Sequence, residues 1–158
     1  MSEETITAFF QNDHDRLDGL FDQFQTIKAC DYEGAKQHFK EFKRGLERHI
    51  VWEEEILFPL FETKSGMRES GPTAVMRMEH RQIKEALEQI HLKVREENSD
   101  SGGEETRLLQ ILSEHNRKEE NILYPMVDRF VSEPERKAVF DRMKSFPEEK
   151  FGTCCTGH

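Results

Sequence analysis

Apolar residues recur along this chain at helical spacing, and no stretch alternates as a half-buried strand would. Phe10, Leu17, Phe21 and Phe24 form one stripe, interrupted only by His14, and predict a helix from about Thr7 to Ala29. Asp31 has the short polar side chain of an N-cap. It predicts a second helix from about Tyr32 to Glu62, with Phe39, Phe42, Leu46, His49, Glu53, Ile56 and Leu60 facing inward and a kink at Pro59. The polar stretch Thr63 to Gly71 reads as a loop. Pro72 suits the first turn of a third helix, running to about Asn98 through Val75, His80, Ile83, Leu87, Ile90 and Val94. Ser99-Asp-Ser-Gly-Gly103 breaks the pattern. A fourth helix follows from about Glu104 to Val131, with Leu108, Ile111, Leu112, His115, Glu119, Ile122 and Met126 inward. Ser132-Glu-Pro-Glu135 has the form of a capping box and opens a short fifth helix to about Lys144. The pattern predicts an all-α fold: an up-down-up-down four-helix bundle over residues 1–144, then a tail, 145–158, without periodicity.

The inward stripes contain residues that a core ordinarily excludes. His49-x-x-x-Glu53 on the second helix returns 66 residues later as His115-x-x-x-Glu119 on the fourth. The same offset relates Glu54 to Glu120, Ile56 to Ile122, Leu57 to Leu123, Pro59 to Pro125, and His14 to His80. Residues four apart lie on one helix face, a turn apart, so each His-x-x-x-Glu presents an imidazole and a carboxylate to one point. His14 and His80 add an imidazole from each remaining helix. Buried imidazoles and carboxylates cost several kcal/mol unless paired or metal-bound, on the order of the penalties for any buried polar group. Any one of these histidines alone would read as a core residue. Six ligand-type residues repeated in register predict a metal site built between four helices.

The ligand chemistry narrows the metal. Four imidazoles, two carboxylates and no thiolate suit iron, manganese or zinc. A single zinc normally takes four ligands and would leave two unused. Two facing carboxylates can bridge two ions about 3.5–4 Å apart, which favours a dinuclear iron site with room for an exogenous ligand. Glu54, Glu55 and Glu120 read as solvent-facing or as partners of the ligands, with Glu120 the alternative to Glu119 as the bridging carboxylate. Glu79 is placed to orient an imidazole. Asp18 reads as an outer residue or hydrogen-bond partner, and Trp52 as core filler or a shield. His38 and His91 each lie eleven residues, about 16 Å of helix, from a ligand, and read as solvated surface. A ferritin-like site needs two Glu-x-x-His pairs, and Glu88-x-x-His91 has no repeat mate.

Composition sets outer limits. The 158 residues are enough for one domain, and the apolar and charged fractions, 35% each, fit long amphipathic helices. The net charge of −9 disfavours nucleic acid and anionic membranes as partners. No apolar run approaches the ~20 residues of a membrane span. Met1-Ser-Glu-Glu-Thr lacks the basic start and apolar run of a signal peptide, which predicts a cytoplasmic protein. Cys30, Cys154 and Cys155 form no Cys-x-x-Cys. The adjacent pair in the tail, followed by His158, reads either as two exposed thiols or as a redox or metal-transfer handle.

His14, His49-x-x-x-Glu53, His80 and His115-x-x-x-Glu119, in that order on four helices, are similar to the ligand set of the hemerythrin family over about residues 7 to 131. The resemblance implies an oxo- or hydroxo-bridged pair of non-haem iron ions that binds oxygen or another small oxidant. The oxygen carriers of that family have His-x-x-x-His on the third helix, where this chain has Lys84 four after His80. They use His-x-x-x-x-Asp on the fourth, where this chain offers Glu119 and Glu120. The set looks more like the four-His, two-Glu di-iron proteins of iron–sulfur cluster repair and nitric oxide handling, and the hemerythrin-type sensors. The expectation is a protein that binds or senses oxygen, nitric oxide or peroxide. The alternatives are an oxidoreductase or iron donor working with a redox or iron-acceptor protein, or a purely structural bundle.

Overall fold

The computed structural model describes residues 4–68 and 71–147. Among them the elements are α1 (Ile6–Ile27), α2 (Tyr32–Trp52), a π-helical turn (Glu53–Leu57), α3 (Phe58–Ser65), α4 (Pro72–Arg95), α5 (Gly102–Lys118), a second π-helical turn (Glu119–Leu123), α6 (Tyr124–Phe130) and α7 (Glu133–Ser145). No strand occurs among the described residues. The long arms of the bundle are α1, then α2 continued through its π turn into α3, then α4, then α5 continued into α6. Among the described residues no helix is long and apolar enough to cross a membrane. The Cys154–Cys155 pair and His158 lie outside the described residues.

The helix starts follow from local chemistry. Thr5 accepts from the Ala8 backbone N–H, Asp31 from that of Gly34, and Ser132 closes a reciprocal capping box with Glu135. The Asp128 carboxylate on α6 accepts from the Ile6 and Thr7 backbone N–H groups at 2.9 and 3.0 Å. It satisfies donors that a helix start leaves orphaned, and it ties α1 to the last long arm.

The second and fourth arms depart from the expected continuous α-helix with a kink. Pro59 and Pro125 have no N–H to continue the ladder, and a proline ring crowds the carbonyl four residues back. Each arm widens by one residue just before its proline: Phe58 N–H bonds to Glu53 O, and Tyr124 N–H to Glu119 O, five residues back. The extra residue rotates everything beyond it. Leu57, Phe58 and Phe61 are buried where Leu60 was expected, and Leu123, Tyr124 and Val127 where Ile122 and Met126 were expected. Ile122 is 51% exposed. On α4, Val75 faces outward and Met76 inward.

Two apolar clusters result. One contains Leu17, Phe21, Phe24, Phe39, Phe42, Leu46, Ile83, Leu87 and Leu108. The other contains Ile6, Phe10, Trp52, Ile56, Phe58, Phe61, Tyr124 and Val127. The His-bearing turns lie between them: His14 is bracketed on α1 by Phe10 and Leu17, and His49 on α2 by Leu46 and Trp52.

Candidate metal centre

All six expected residues meet in this band, and all are buried, with Glu53, Glu119 and His80 fully so. Ligand-capable atoms of Glu53, His80, His115 and Glu119 lie within 4.8 Å of one another, as do those of His14, His49 and Glu119. Each imidazole turns Nε2 toward the two glutamates. His80 Nε2 is 3.0 Å from Glu53 Oε1, His49 Nε2 3.4 Å from Glu53 Oε2, His14 Nε2 3.2 Å from Glu119 Oε1, and His115 Nε2 3.1 Å from Glu119 Oε2. Glu119 Oε2 nevertheless receives no hydrogen bond.

The other nitrogen of every ring is held by an outer carboxylate. His49 Nδ1 donates to Asp13 at 2.8 Å, and His115 Nδ1 to Glu79 at 2.9 Å. His80 Nδ1 donates to Glu54 and His14 Nδ1 to Glu120, each at 2.7 Å. These partners obey the 66-residue repeat: Asp13 is the mate of Glu79, and Glu54 of Glu120. A ring whose Nδ1–H is spoken for is oriented to offer Nε2 inward, and a metal that displaces the Nε2 proton meets the tautomer it requires. Glu120 thus holds a ring, while Glu119 faces the centre.

Electrostatics point the same way. Burial alone would depress His49, but the Glu53 charge and the Asp13 hydrogen bond outweigh it and lift the imidazole to about 10. His80, opposed by burial and raised by Glu53 and Glu54, reaches about 9. Burial pushes the Glu53 carboxyl up, and His49 and His80 pull it well below the usual range. Glu119, pushed up by burial and by Glu53, is brought below it by His115 and His14. Without metal, protons on His49, His80 and His115 stand in for cations among six carboxylates. An unsatisfied buried carboxylate oxygen, inward-facing imidazole nitrogens and excess negative charge together fit bound metal cations.

Two members of the cluster escaped the sequence reading. Asp13 was legible as the repeat mate of Glu79. Tyr124 was legible only as the polar exception in an apolar pair, since its mate is Phe58. Its hydroxyl lies 2.5 Å from Glu53 Oε2, 2.8 Å from Glu119 Oε1 and 3.2 Å from His49 Nε2. Burial first, then the two carboxylates, push the phenol well above its ordinary range. Other residues fall away from the centre. Asp18 is exposed and borders the cavity beside His14 without joining the cluster, and Trp52 packs in the apolar cluster under the Arg48 guanidinium. His91 is buried, not solvated, and stacks on Phe39 with centroids 6.3 Å apart.

A cavity of about 10 Å³ adjoins the centre, between His14, His49, Glu53 and His115 on one side and Leu46 and Ile83 on the other. That volume is about the minimum for one water-sized molecule.

Comparison with known proteins agrees with this geometry. The model of the hemerythrin HHE cation binding domain matches residues 5–146. The chain is 30% identical over 135 residues to the iron–sulfur cluster repair protein YtfE of Edwardsiella ictaluri, covering 76% of this chain and 61% of that one. It is 30% identical over 139 residues to an uncharacterised hemerythrin-like protein of Schizosaccharomyces pombe, covering 85% of this chain and 66% of that one. The chain thus spans under two thirds of the length of both relatives. No solved structure matches it significantly.

Proposed function

The chain belongs to the hemerythrin HHE cation-binding family, and from that premise we propose that it is a non-haem di-iron protein that binds or senses oxygen, nitric oxide or a related small oxidant. His14, His49, His80 and His115 would hold the ions, with Glu53 and Glu119 shared between them. The observation that carries this reading is the convergence of four Nε2 atoms on two facing, fully buried carboxylates. Iron supplies reversible one-electron chemistry and affinity for small oxidants. The chain supplies the rest. Asp13, Glu54, Glu79 and Glu120 fix the ring orientations. The apolar clusters on either side keep bulk water out, and the cavity limits what enters to small molecules.

Metal analysis and stopped-flow mixing test it. The purified protein is expected to hold about two irons per chain, the ratio of a dinuclear site. The ferrous form should give a rapid spectral change with oxygen or nitric oxide. A protein without iron affinity, or one whose ferrous form ignores both gases, counts against the reading. A second reading, an oxidoreductase or iron donor serving an iron–sulfur protein, is favoured by the likeness to a named repair protein. Catalytic turnover with an electron donor, or iron transfer to an apo iron–sulfur acceptor, would select it over stable binding.

A further inference from the structure

We propose that Tyr124 is itself a metal ligand, its phenolate oxygen completing the coordination of the ion held by His14 and His49. The inference rests on the di-iron reading above and adds to it a seventh protein ligand and an inequality between the two ions.

The first ground is a deficit of protons. A phenol has one hydrogen to donate. The Tyr124 oxygen nevertheless stands 2.5 Å from one carboxylate oxygen and 2.8 Å from another, on Glu53 and Glu119. One hydrogen satisfies one of these contacts, and the other sets oxygen against anionic oxygen inside a dry core. A cation among them resolves the conflict. The second ground is position. The same oxygen is 3.2 Å from His49 Nε2 and 3.4 Å from His14 Nε2. It therefore lies at the meeting point of both imidazoles and both carboxylates of one half-site.

The third ground is confinement. Tyr124 is fully buried and packs on Phe10 at 5.1 Å between centroids. Its backbone is set by the π turn just before it. When the surrounding donors turn to an ion, the hydroxyl has no solvent to reach, and a buried hydroxyl without a partner is costly. Binding the ion keeps it satisfied, and its proton leaves to bulk water. The fourth ground is asymmetry. The repeat mate Phe58 has no oxygen, and its ring lies flat against His80, 5.7 Å between centroids and 11° between planes. The His80/His115 half thus has an apolar ring where the His14/His49 half has an oxygen. An anionic ligand on one ion alone favours that ion's ferric state.

The chain has one other tyrosine, Tyr32, which bonds to the Asn98 carbonyl. It lies seventeen residues before His49, about 25 Å of helix. Any iron-bound phenolate is therefore Tyr124. The test loads the full chain with ferrous iron without oxygen and oxidises it with ferricyanide, which takes one electron per iron. Iron content, visible absorption and resonance Raman scattering are then recorded. The wild type is expected to show phenolate-to-iron charge transfer with tyrosine ring modes enhanced in that band. Tyr124→Phe should lose both while keeping its iron, and Tyr32→Phe should keep both. A wild type that holds two irons without phenolate modes overturns the ligand assignment and leaves the di-iron reading standing. A wild type that takes up no iron overturns both. Loss of the band in Tyr32→Phe also overturns the assignment. If Tyr124→Phe fails to fold, the wild-type and Tyr32→Phe spectra still decide.

Discussion

Each imidazole at the centre is held at both nitrogens, so the outer carboxylates matter nearly as much as the inner ones. Truncating a ring partner of this kind typically costs 10–100-fold in metal affinity, roughly 1.4–3 kcal/mol. Asp13→Asn and Glu79→Gln keep size and remove charge, and each is expected to weaken iron binding by about that range. A competition titration against a chelator measures it, and affinities unchanged within twofold would contradict the assigned role. Removal of an inner group, by His49→Ala, Glu53→Ala or Glu119→Ala, should cost iron outright. His38→Ala and His91→Ala should leave iron content unchanged, although the stacked, buried His91 should cost stability. At this scale the six inner residues were legible because a polar side chain on an apolar stripe is costly to bury unless something binds it, and here the cost recurs in register. Asp13 and Tyr124 break no pattern within their own helices, and only the 66-residue repeat marks them. Asp13 precedes a ligand on the flank of α1, and Tyr124 replaces one aromatic with another.

Helix order was legible from periodicity, and the start of α2 from its cap, but the register beyond Glu53 and Glu119 was not. Periodicity assumes a constant 3.6 residues per turn, and the π turns break that assumption at the same place in each half. The prolines signal an irregularity without saying whether the arm bends or widens. Packing decides between the two. Returning to α register would regain about one hydrogen bond, roughly 1 kcal/mol. It would turn Phe58 and Phe61 out of the core, at about 1.5–3 kcal/mol each. The wide turn is thus held by the aromatic contacts as well as by the proline. Pro59→Ala is therefore expected to keep the π turn and full iron content, with stability changed by no more than about 1 kcal/mol, since the new N–H gains at most one bond. Iron content and a denaturant melt check this. Loss of iron in Pro59→Ala would mean that the proline alone sets the register.

At the scale of the molecule, the centre divides the core, so its charge state governs the stability of both halves. In the metal-free protein His49 and His80 are protonated against carboxylates. His49 and His80 have folded-state values raised to about 10 and about 9. A raised basic group contributes stability that is full below its unfolded value, near 6.5, and is lost as pH rises through the folded value. Glu53 and Glu119 are held below the usual carboxylate range, so their contribution is present above about 4.5 and lost as pH falls. The metal-free protein should therefore be most stable between about pH 4.5 and 6.5, with a progressive loss toward pH 9–10 and another in acid. Iron reverses the alkaline limb. Metal binds deprotonated ligands and competes with protons, so uptake should release protons and strengthen as pH rises. Binding only the folded state raises stability by mass action, about 2.7 kcal/mol when free metal is one hundred times Kd. The difference in Tm between iron-loaded and metal-free protein should consequently widen from pH 6 to pH 9. Melts at a series of pH values, with proton release followed by an indicator dye during ferrous loading, measure both parts. A constant difference, with no proton released, would place the iron away from these imidazoles.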